Sequence, residues 1–308
     1  MSRPLSGQVD VDSLDPTGAS DSLATGTLLL GDCLQRLAEL GSTATAPFSL
    51  IYVDPPFNTG FTHRARQGSG WRVRGVSSYR DTWGGLQGFL DMLAPRLVAA
   101  WRLLAPGGSL WLHLDHRAVH DAKVLACEAL EGACFQGEVI WVPGNGARRR
   151  AAPPVTHQTL LVLSRGEKMR WNPRDPSLRE PHAEGSLRSH FRQVDAEGRR
   201  YRERQVAGRT YRYYEDEGRM LGSVWTDCPA MAANTPLSKE TTGYPTQKPL
   251  KLLRRIVAAT TEPGDRVLDP MCGSGTTLLA AQQLGRQWLG IDLNPEALQL
   301  AAERLKSP

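Results

Sequence analysis

Arg266-Val267-Leu268-Asp269-Pro270-Met271-Cys272-Gly273-Ser274-Gly275-Thr276-Thr277 reads as a strand, a glycine turn and the start of a helix. Glycines let a backbone approach a ligand closely, and a helix that starts at once presents free N–H groups there. Two absences narrow the ligand. No lysine follows the glycines, which argues against a phosphate-binding P-loop, and Leu278 stands where a dinucleotide fingerprint has its third glycine. A second acid lies 23 residues after Asp269, in Trp288-Leu289-Gly290-Ile291-Asp292. A carboxylate after the next strand suits the two hydroxyls of a ribose. A nucleoside site without a pyrophosphate requirement fits S-adenosyl-L-methionine. Asp292 also reads as a cap for the helix beginning at Pro295, a role Asn294 fills more naturally.

Outward from this loop, short apolar strand candidates recur at 27–30, 50–53, 109–114, 138–141 and 159–163, separated by helical stretches. A helix is expected over 86–104, apolar at 86, 89, 90, 93, 97, 101 and 104, with Pro95 placed to kink it. The alternation stops near Ser164. It resumes after Thr246 with a helix at 249–260, a strand at 266–268, a helix at 276–284, a strand at 288–291 and a closing helix at 295–305. Strands alternating with helices argue a parallel α/β sheet of Rossmann-like type, with ligands at the carboxyl ends of its strands. Residues 1–22, rich in Asp, Ser, Gly and Pro, read as a disordered tail. The expected division is an α/β domain over 23–164 and 224–308, interrupted by an insertion over 165–223.

The 308 residues suffice for such a core with its insertion, and 40% hydrophobic with 22% charged residues is ordinary globular composition. No apolar run reaches membrane-spanning length, and the first residues lack a signal pattern. Cys33, Cys127, Cys134, Cys228 and Cys272 are scattered, with no C-x-x-C pair and no metal-ligand spacing. They read as reduced thiols in a cytoplasmic protein without a metal site. The net charge of +5 is uneven: residues 145–222 hold 17 Lys+Arg against 10 Asp+Glu, a local +7, and the remainder is −2. That excess suggests a polyanion partner for the segment.

The apolar run Phe48-Ser49-Leu50-Ile51-Tyr52-Val53 leads into Asp54-Pro55-Pro56-Phe57. An acid, two prolines and an aromatic at a strand's end make a rigid cup: a carboxylate and backbone carbonyls on one side, a flat ring on another. Proline has no N–H and a fixed φ, so the turn is stiff and its acceptors face few competing donors. The cup suits a planar group bearing an amine. A proline-terminated strand followed by a turn is the plainer reading.

Together these residues resemble the DNA amino-methyltransferases of the circularly permuted β class, the N6-adenine/N4-cytosine family. There a D-P-P-[YF] motif comes first, a target-recognition region second and the F-x-G-x-G cofactor motif last. Here Asp54-Pro55-Pro56-Phe57-Asn58-Thr59-Gly60 is followed by the basic insertion, Gly243-Tyr244-Pro245-Thr246-Gln247-Lys248-Pro249 and the Asp269–Thr276 loop. Gly31-Asp32-Cys33-Leu34 is similar to the segment that holds the cofactor's adenine. The resemblance covers residues 25–164 and 224–305, with Met271-Cys272 where the family more often has Phe. It implies a Rossmann-like fold with a basic target-recognition insertion and S-adenosyl-L-methionine as cofactor. Gly273, Gly275 and Thr276 would meet the methionine part, Met271 the adenosine wall and Asp292 the ribose. Asp32 with Cys33 would hold the adenine, and Thr246 and Lys248 the carboxylate end; a solvated lysine at the start of a helix is the plainer reading of Lys248. Asp269 is either a ligand or a buttress of the glycine turn.

The resemblance implies site-specific methylation of the N6 amine of a flipped adenine in double-stranded DNA. Asp54 and the Pro55 carbonyl would hold the amine, with Pro56 and Phe57 completing the catalytic motif and Phe57 stacking on the base. Asp54 rather than Ser favours adenine over the alternative, N4-cytosine; a catalytically inactive DNA-binding paralogue is the other alternative. Arg64, Arg66, Arg72 and Arg74, in a segment with no acid before Asp81, are expected on a mobile loop over phosphates beside the flipped base. Arg148, Arg149, Arg200 and Arg202 are expected at the DNA as well. A homodimer and a companion restriction endonuclease are consistent with the family.

Overall fold

The computed structural model describes residues 26–43, 46–57, 62–67, 74–80, 82–144, 150–231 and 240–306. In chain order its first elements are β1 (Gly26–Leu30), α1 (Cys33–Ser42), β2 (Phe48–Val53), β3 (Thr62–Gln67) and β4 (Arg74–Arg80). Then come α2 (Leu86–Arg102), β5 (Leu104–Leu114), α3 (Val119–Ala129), β6 (Ala133–Trp141) and β7 (Gln158–Arg165). A smaller region carries β8 (Arg179–Glu180), α4 (Glu184–His190), β9 (Gln193–Val194), β10 (Arg200–Val206), β11 (Arg209–Tyr214) and β12 (Arg219–Met220). The chain closes with β13 (Val224–Trp225), α5 (Leu250–Thr260), β14 (Arg266–Asp269), α6 (Thr276–Gln283), β15 (Gln287–Asp292) and α7 (Pro295–Lys306).

Eight strands form the main sheet in the order β1-β15-β14-β2-β5-β7-β6-β13. From β1 to β5 the neighbours are parallel. The apolar run of β2 is what a strand covered on both faces requires. Ile51 and Val53 join a cluster with Leu37 of α1, Phe89, Leu93 and Leu97 of α2 and Ala122 of α3. Alternation sends the equally buried Leu50 and Tyr52 to the opposite face, where α5 contacts β2 while α6 and α7 contact β15. Helices on both faces of a mostly parallel sheet are the expected α/β class. α2 continues through Pro95 as one element.

Two expectations need correction. The sheet is mixed rather than parallel: β7 runs antiparallel to both β5 and β6. A parallel return from β6 would need a crossover, usually a helix, and the sequence between Trp141 and Gln158 has Pro143, Gly144, Pro153 and Pro154 but no helical period. The segment after the Asp54 motif, expected as a loop, holds two paired strands, β3 and β4, in register from Thr62↔Arg80 to Gln67↔Arg74. Its sequence lacks an apolar alternation, so the pattern carries no strand signal. The glycines at 68 and 70 lie outside the described residues, as does the tail over 1–22.

The chain divides into two compact units, Met1–Trp171 with Val224–Pro308, and Asn172–Ser223. The smaller unit is built on a three-stranded sheet, β11-β10-β9, and the β8/β12 pair. Ala207 and Gly208, both at positive φ (49° and 76°), make the tight turn between β10 and β11. Leu178 and Phe191 are its buried apolar centre. Among the described residues no helix is long and apolar enough to cross a membrane.

Candidate active site

Four adjacent parallel strands, β1, β15, β14 and β2, each deliver a carboxylate at or just beyond their carboxyl end: Asp32, Asp292, Asp269 and Asp54. All four line one cavity of about 540 Å³. Acids crowded in one site raise one another's pKa unless each is separately held, and here the holding differs at every position.

Asp32 caps α1, accepting from Leu34 N at 2.9 Å and Gln35 N at 3.4 Å, and pairs with Arg96 of α2 at 2.6 Å. Burial raises its carboxyl, but Arg96 and the two N–H groups outweigh burial and hold it below the ordinary range. Asp292 accepts from Gly273 N at 2.7 Å and Asn294 N at 2.8 Å; burial exceeds these donors and leaves its carboxyl raised. Asn294 does the helix capping, accepting from Glu296 N at 3.0 Å, which leaves Asp292 to the loop and the cavity. Asp269 accepts from Met271 N at 3.2 Å and from the Thr277 side chain, and burial pushes its carboxyl up to about 7.

Asp54 is held by charge. Its Oδ2 pairs with Lys248 Nζ, and its Oδ1 is buried without a hydrogen-bond partner among the described residues. Burial raises the Asp54 carboxyl, and the Lys248 ammonium opposes that rise. Lys248, expected at the cofactor's carboxylate or in solvent, is not solvated, its side chain being 8% exposed. Its Nζ also lies 5.1 Å over the Phe57 ring. Two residues earlier Thr246 has φ +61°, a conformation that costs a β-branched residue about 1–3 kcal/mol.

Of the candidate residues, Asp32, Cys33, Asp54, Pro55, Pro56, Phe57, Thr246, Lys248, Asp269, Met271, Gly273, Thr276 and Asp292 all line the cavity. Gly275 does not line it. It is the left-handed cap of α6 (φ +74°), and a Cβ there would sit 2.8 Å from the Ala301 Cβ of α7. Packing against α7 by itself calls for glycine here. At Gly273 (φ +51°) a Cβ would come within 3.1 Å of the Tyr244 ring.

Several lining or supporting residues are not among the candidates the sequence singles out. Tyr244 lines the cavity from within the Gly243–Pro249 motif, and Arg96 and Trp83 line it from the α2 side. Arg304 of α7 donates to Ser274 O at 2.6 Å and Thr276 Oγ1 at 3.1 Å, tying down the glycine loop. Behind Asp54, Tyr52 Oη shares a 2.7 Å hydrogen bond with His113 Nδ1. Burial, then the Lys248 charge, holds His113 well below its ordinary range and therefore neutral. Burial drives the Cys33 thiol up to about 11 and raises Cys272 as well, so neither is a nucleophile at neutral pH.

Arg64 and Arg66 fall on β3 and Arg74 on β4. Arg72, Arg148 and Arg149 lie outside the described residues. In the smaller unit Arg200 donates to Phe191 O at 2.7 Å and pairs with Glu215 at 3.2 Å. The Arg202 guanidinium lies over the Phe191 and Tyr213 rings, 5.3 and 5.4 Å from their centroids. This unit holds eleven Arg against nine Asp+Glu, so most of the basic excess of 145–222 precedes it.

The donor set fits S-adenosyl-L-methionine. Carboxylates around one cavity suit a cationic ligand bearing hydroxyls and amines and repel a polyphosphate, and 540 Å³ is an ordinary volume for a small-molecule site. A mostly parallel sheet with acids and a glycine turn at its carboxyl edge defines a Rossmann-like methyltransferase. The family of N6/N4 methyltransferases, described as DNA methylase, matches residues 48–303. The chain belongs to this family: it is a DNA methyltransferase, with S-adenosyl-L-methionine as methyl donor. It is similar to the Type II methyltransferase M2.DpnII of Streptococcus pneumoniae, 27% identical over 264 residues that span 84% of this chain and 82% of the relative. M.EcaI of Enterobacter cloacae is 25% identical over 84% of this chain and 64% of its own. Among solved structures, the M1.HpyAVI–SAM complex shares the fold at TM-score 0.55 and 18% identity, covering 91% of this chain and 98% of that one. The cytosine-N4-specific PvuII methyltransferase does so at 0.57 and 16%, covering 92% and 86%.

Proposed function

We propose that the protein methylates the N6 amine of an adenine flipped out of double-stranded DNA at a specific site, and that it is of the permuted β class. The motif order supports the class: the Asp54 motif precedes the glycine loop, with the smaller unit between them in sequence. The observation that carries the chemistry is Asp54, held by Lys248 through Oδ2 and carrying a second oxygen with no partner among the described residues. A buried carboxylate oxygen normally has a donor, and an exocyclic amine would supply one.

The exocyclic amine of adenine is a poor nucleophile because its lone pair is delocalised into the ring. Hydrogen bonds to Asp54 Oδ1 and the Pro55 carbonyl would draw the nitrogen toward tetrahedral geometry and localise that pair. They would also stabilise the positive charge that develops on nitrogen. Flipping the base costs a few kcal/mol, of which stacking on Phe57 would return about 1–3 kcal/mol; DNA contacts supply the rest. Pro56 keeps the turn rigid.

When bound, S-adenosyl-L-methionine supplies an activated methyl group. Asp292 would take its ribose: each carboxylate oxygen accepts one backbone N–H and retains a lone pair for a hydroxyl. Asp32 and Cys33 would border the adenine and Met271 its wall, while Gly273, Thr276 and Thr246 would face the methionine end. Asp269 is assigned to the loop, as the buttress beneath Met271. Arg64, Arg66, Arg72, Arg74, Arg148 and Arg149 would meet phosphates. The unit Asn172–Ser223, with Arg202, would read the target, and Arg200 would brace it. A homodimer and a companion endonuclease belong to the same proposal, from the resemblance in motif order.

Expressing the protein in a host free of DNA methylation and sequencing for modified bases tests this. N6-methyladenine within a defined sequence is the expected result. N4-methylcytosine rejects the choice of base, and unmodified DNA from soluble, folded protein rejects the reading.

A further inference from the structure

We infer that Lys248 is a positioning residue for the amine rather than a holder of the methyl donor: its ammonium clamps Asp54 Oδ2, keeping the carboxylate ionised and reserving Oδ1 for the target. The inference rests on the assignment of Asp54 as acceptor and adds to it the group that makes Asp54 competent.

Geometry carries it. Lys248 Nζ touches two members of the Asp54–Phe57 motif, pairing with the carboxylate and lying over the Phe57 ring. A lysine only 8% exposed requires a partner, and it pairs with Asp54, 194 residues away in the chain. The segment that delivers it is set by Thr246 at φ +61°. A strained, β-branched residue persists where the surroundings over-determine the backbone, and such positions cluster at functional sites.

Electrostatics explain why a clamp is needed. The groups facing Asp54 are Tyr52 from β2, Asp269 from β14 and, behind Tyr52, a neutral His113 from β5. None is a cation, and Asp269 is a second acid. Lys248, at the start of α5, is therefore the counter-charge of this corner among the described residues. A protonated Asp54 would lose much of its strength as an acceptor, just where positive charge has to be stabilised. A lysine serving the donor's carboxylate would leave Asp54 to burial alone.

The test compares Lys248→Met, Lys248→Arg and Asp54→Ala with the wild type. The measurements are methylation of unmethylated genomic DNA across pH and S-adenosyl-L-methionine binding by calorimetry. For Lys248→Met, kcat at neutral pH is expected to fall about 10²-fold, the usual loss for one preorganised charge partner, with donor affinity unchanged. The acid limb of kcat should move up by about 1–3 pH units, because burial then acts on Asp54 unopposed. Lys248→Arg, which keeps the charge and carries the test should the Met variant not fold, keeps the limb at the wild-type pH. Donor affinity that collapses with kcat intact at saturating donor overturns the inference, as does an unmoved limb in Lys248→Met or a raised one in Lys248→Arg. If Asp54→Ala stays active, the acceptor reading itself fails; if it is inactive while Lys248→Met is normal, only the clamp fails.

Discussion

Asp54 and Asp269 end neighbouring, hydrogen-bonded parallel strands, each is followed by proline, and desolvation raises both carboxyls. Their surroundings nevertheless differ, and under the proposed function the two acids would do opposite work. Asp269 is met by neutral donors, Met271 N and Thr277, so it can carry a proton near pH 7 and still brace the glycine turn. Asp54 is met by a buried ammonium on one oxygen and, among the described residues, by nothing on the other. On the proposed reading, the sequence Asp-Pro does not decide whether an acid is scaffold or acceptor. The charge of its holder would.

The largest expected effect comes from breaking the acceptor side. Asp54→Ala should lower turnover by about 10³-fold, the upper range for loss of a preorganised electrostatic contact, while S-adenosyl-L-methionine binding by calorimetry is retained. Its melting temperature should fall too, because Lys248 is left buried without its counter-charge. Retained turnover would remove the distinction between the two acids.

Asp269 sharpens the other side through pH. Its folded-state pKa of about 7 lies above the ordinary 3.8. Between these values the native state keeps a proton that the unfolded chain has lost, so stability is greatest at low pH and declines as pH rises through that window. The whole shift is worth up to ~4 kcal/mol. Asp269→Asn cannot ionise. Measured by denaturant unfolding, its stability relative to the wild type should improve steadily from about pH 4 to 7. A difference that is flat with pH would show Asp269 to be an ordinary ionised acid.

The two glycines of the loop divide in the same way. Gly275→Ala forces a left-handed backbone and a 2.8 Å contact with Ala301, so a thermal melt should report a loss of about 1–3 kcal/mol. Donor affinity per folded molecule should hold. Gly273→Ala presses on the Tyr244 ring in the cavity wall and should instead weaken donor binding. Equal effects of both variants on binding would return Gly275 to the ligand side.

These contrasts also mark how far the sequence is legible by itself. Asp54, Asp269 and Asp292 are visible in it because an apolar run ending in Asp is a local pattern, Asp32 only through the likeness of Gly31–Leu34 to the family segment, and the loop from Asp269 to Thr276 because glycine at a strand end is a local pattern too. The partner of Asp54 is not. Lys248 lies 194 residues away, and no periodicity links positions that meet only through the sheet. The direction of β7 and the pairing of β3 with β4 stay hidden because strand pairing is made by backbone groups, which leave no signature where the side chains do not alternate. The packing constraint on Gly275, Ala301 on α7, is hidden as well, because it acts between two helices rather than within a local pattern. The basic excess of 145–222 reads as one property of the insertion, whereas the eleven Arg of the smaller unit are nearly balanced by nine acids. Arg199 with Asp216 and Arg212 with Glu203, at 2.8 and 2.9 Å, are two of the pairs that absorb them.

The smallest effect tests whether Asp292 is held for the ligand or for the helix. Asn294 is the cap: its side chain accepts from Glu296 N, and its backbone N–H donates to Asp292. Asn294→Ala removes only the first of these contacts. It should cost about 1 kcal/mol, the usual value for a lost N-cap, visible as a small drop in melting temperature, with donor affinity intact. Asp292→Asn keeps the cap and the shape but gives up the charge and one pure acceptor, so its loss should fall on donor binding with little change in melting. If Asn294→Ala weakens the donor as much as Asp292→Asn does, the two residues work as one unit. The acid of β15 would then belong with Asp269 as scaffold rather than with Asp54 as a group that meets what the cavity binds.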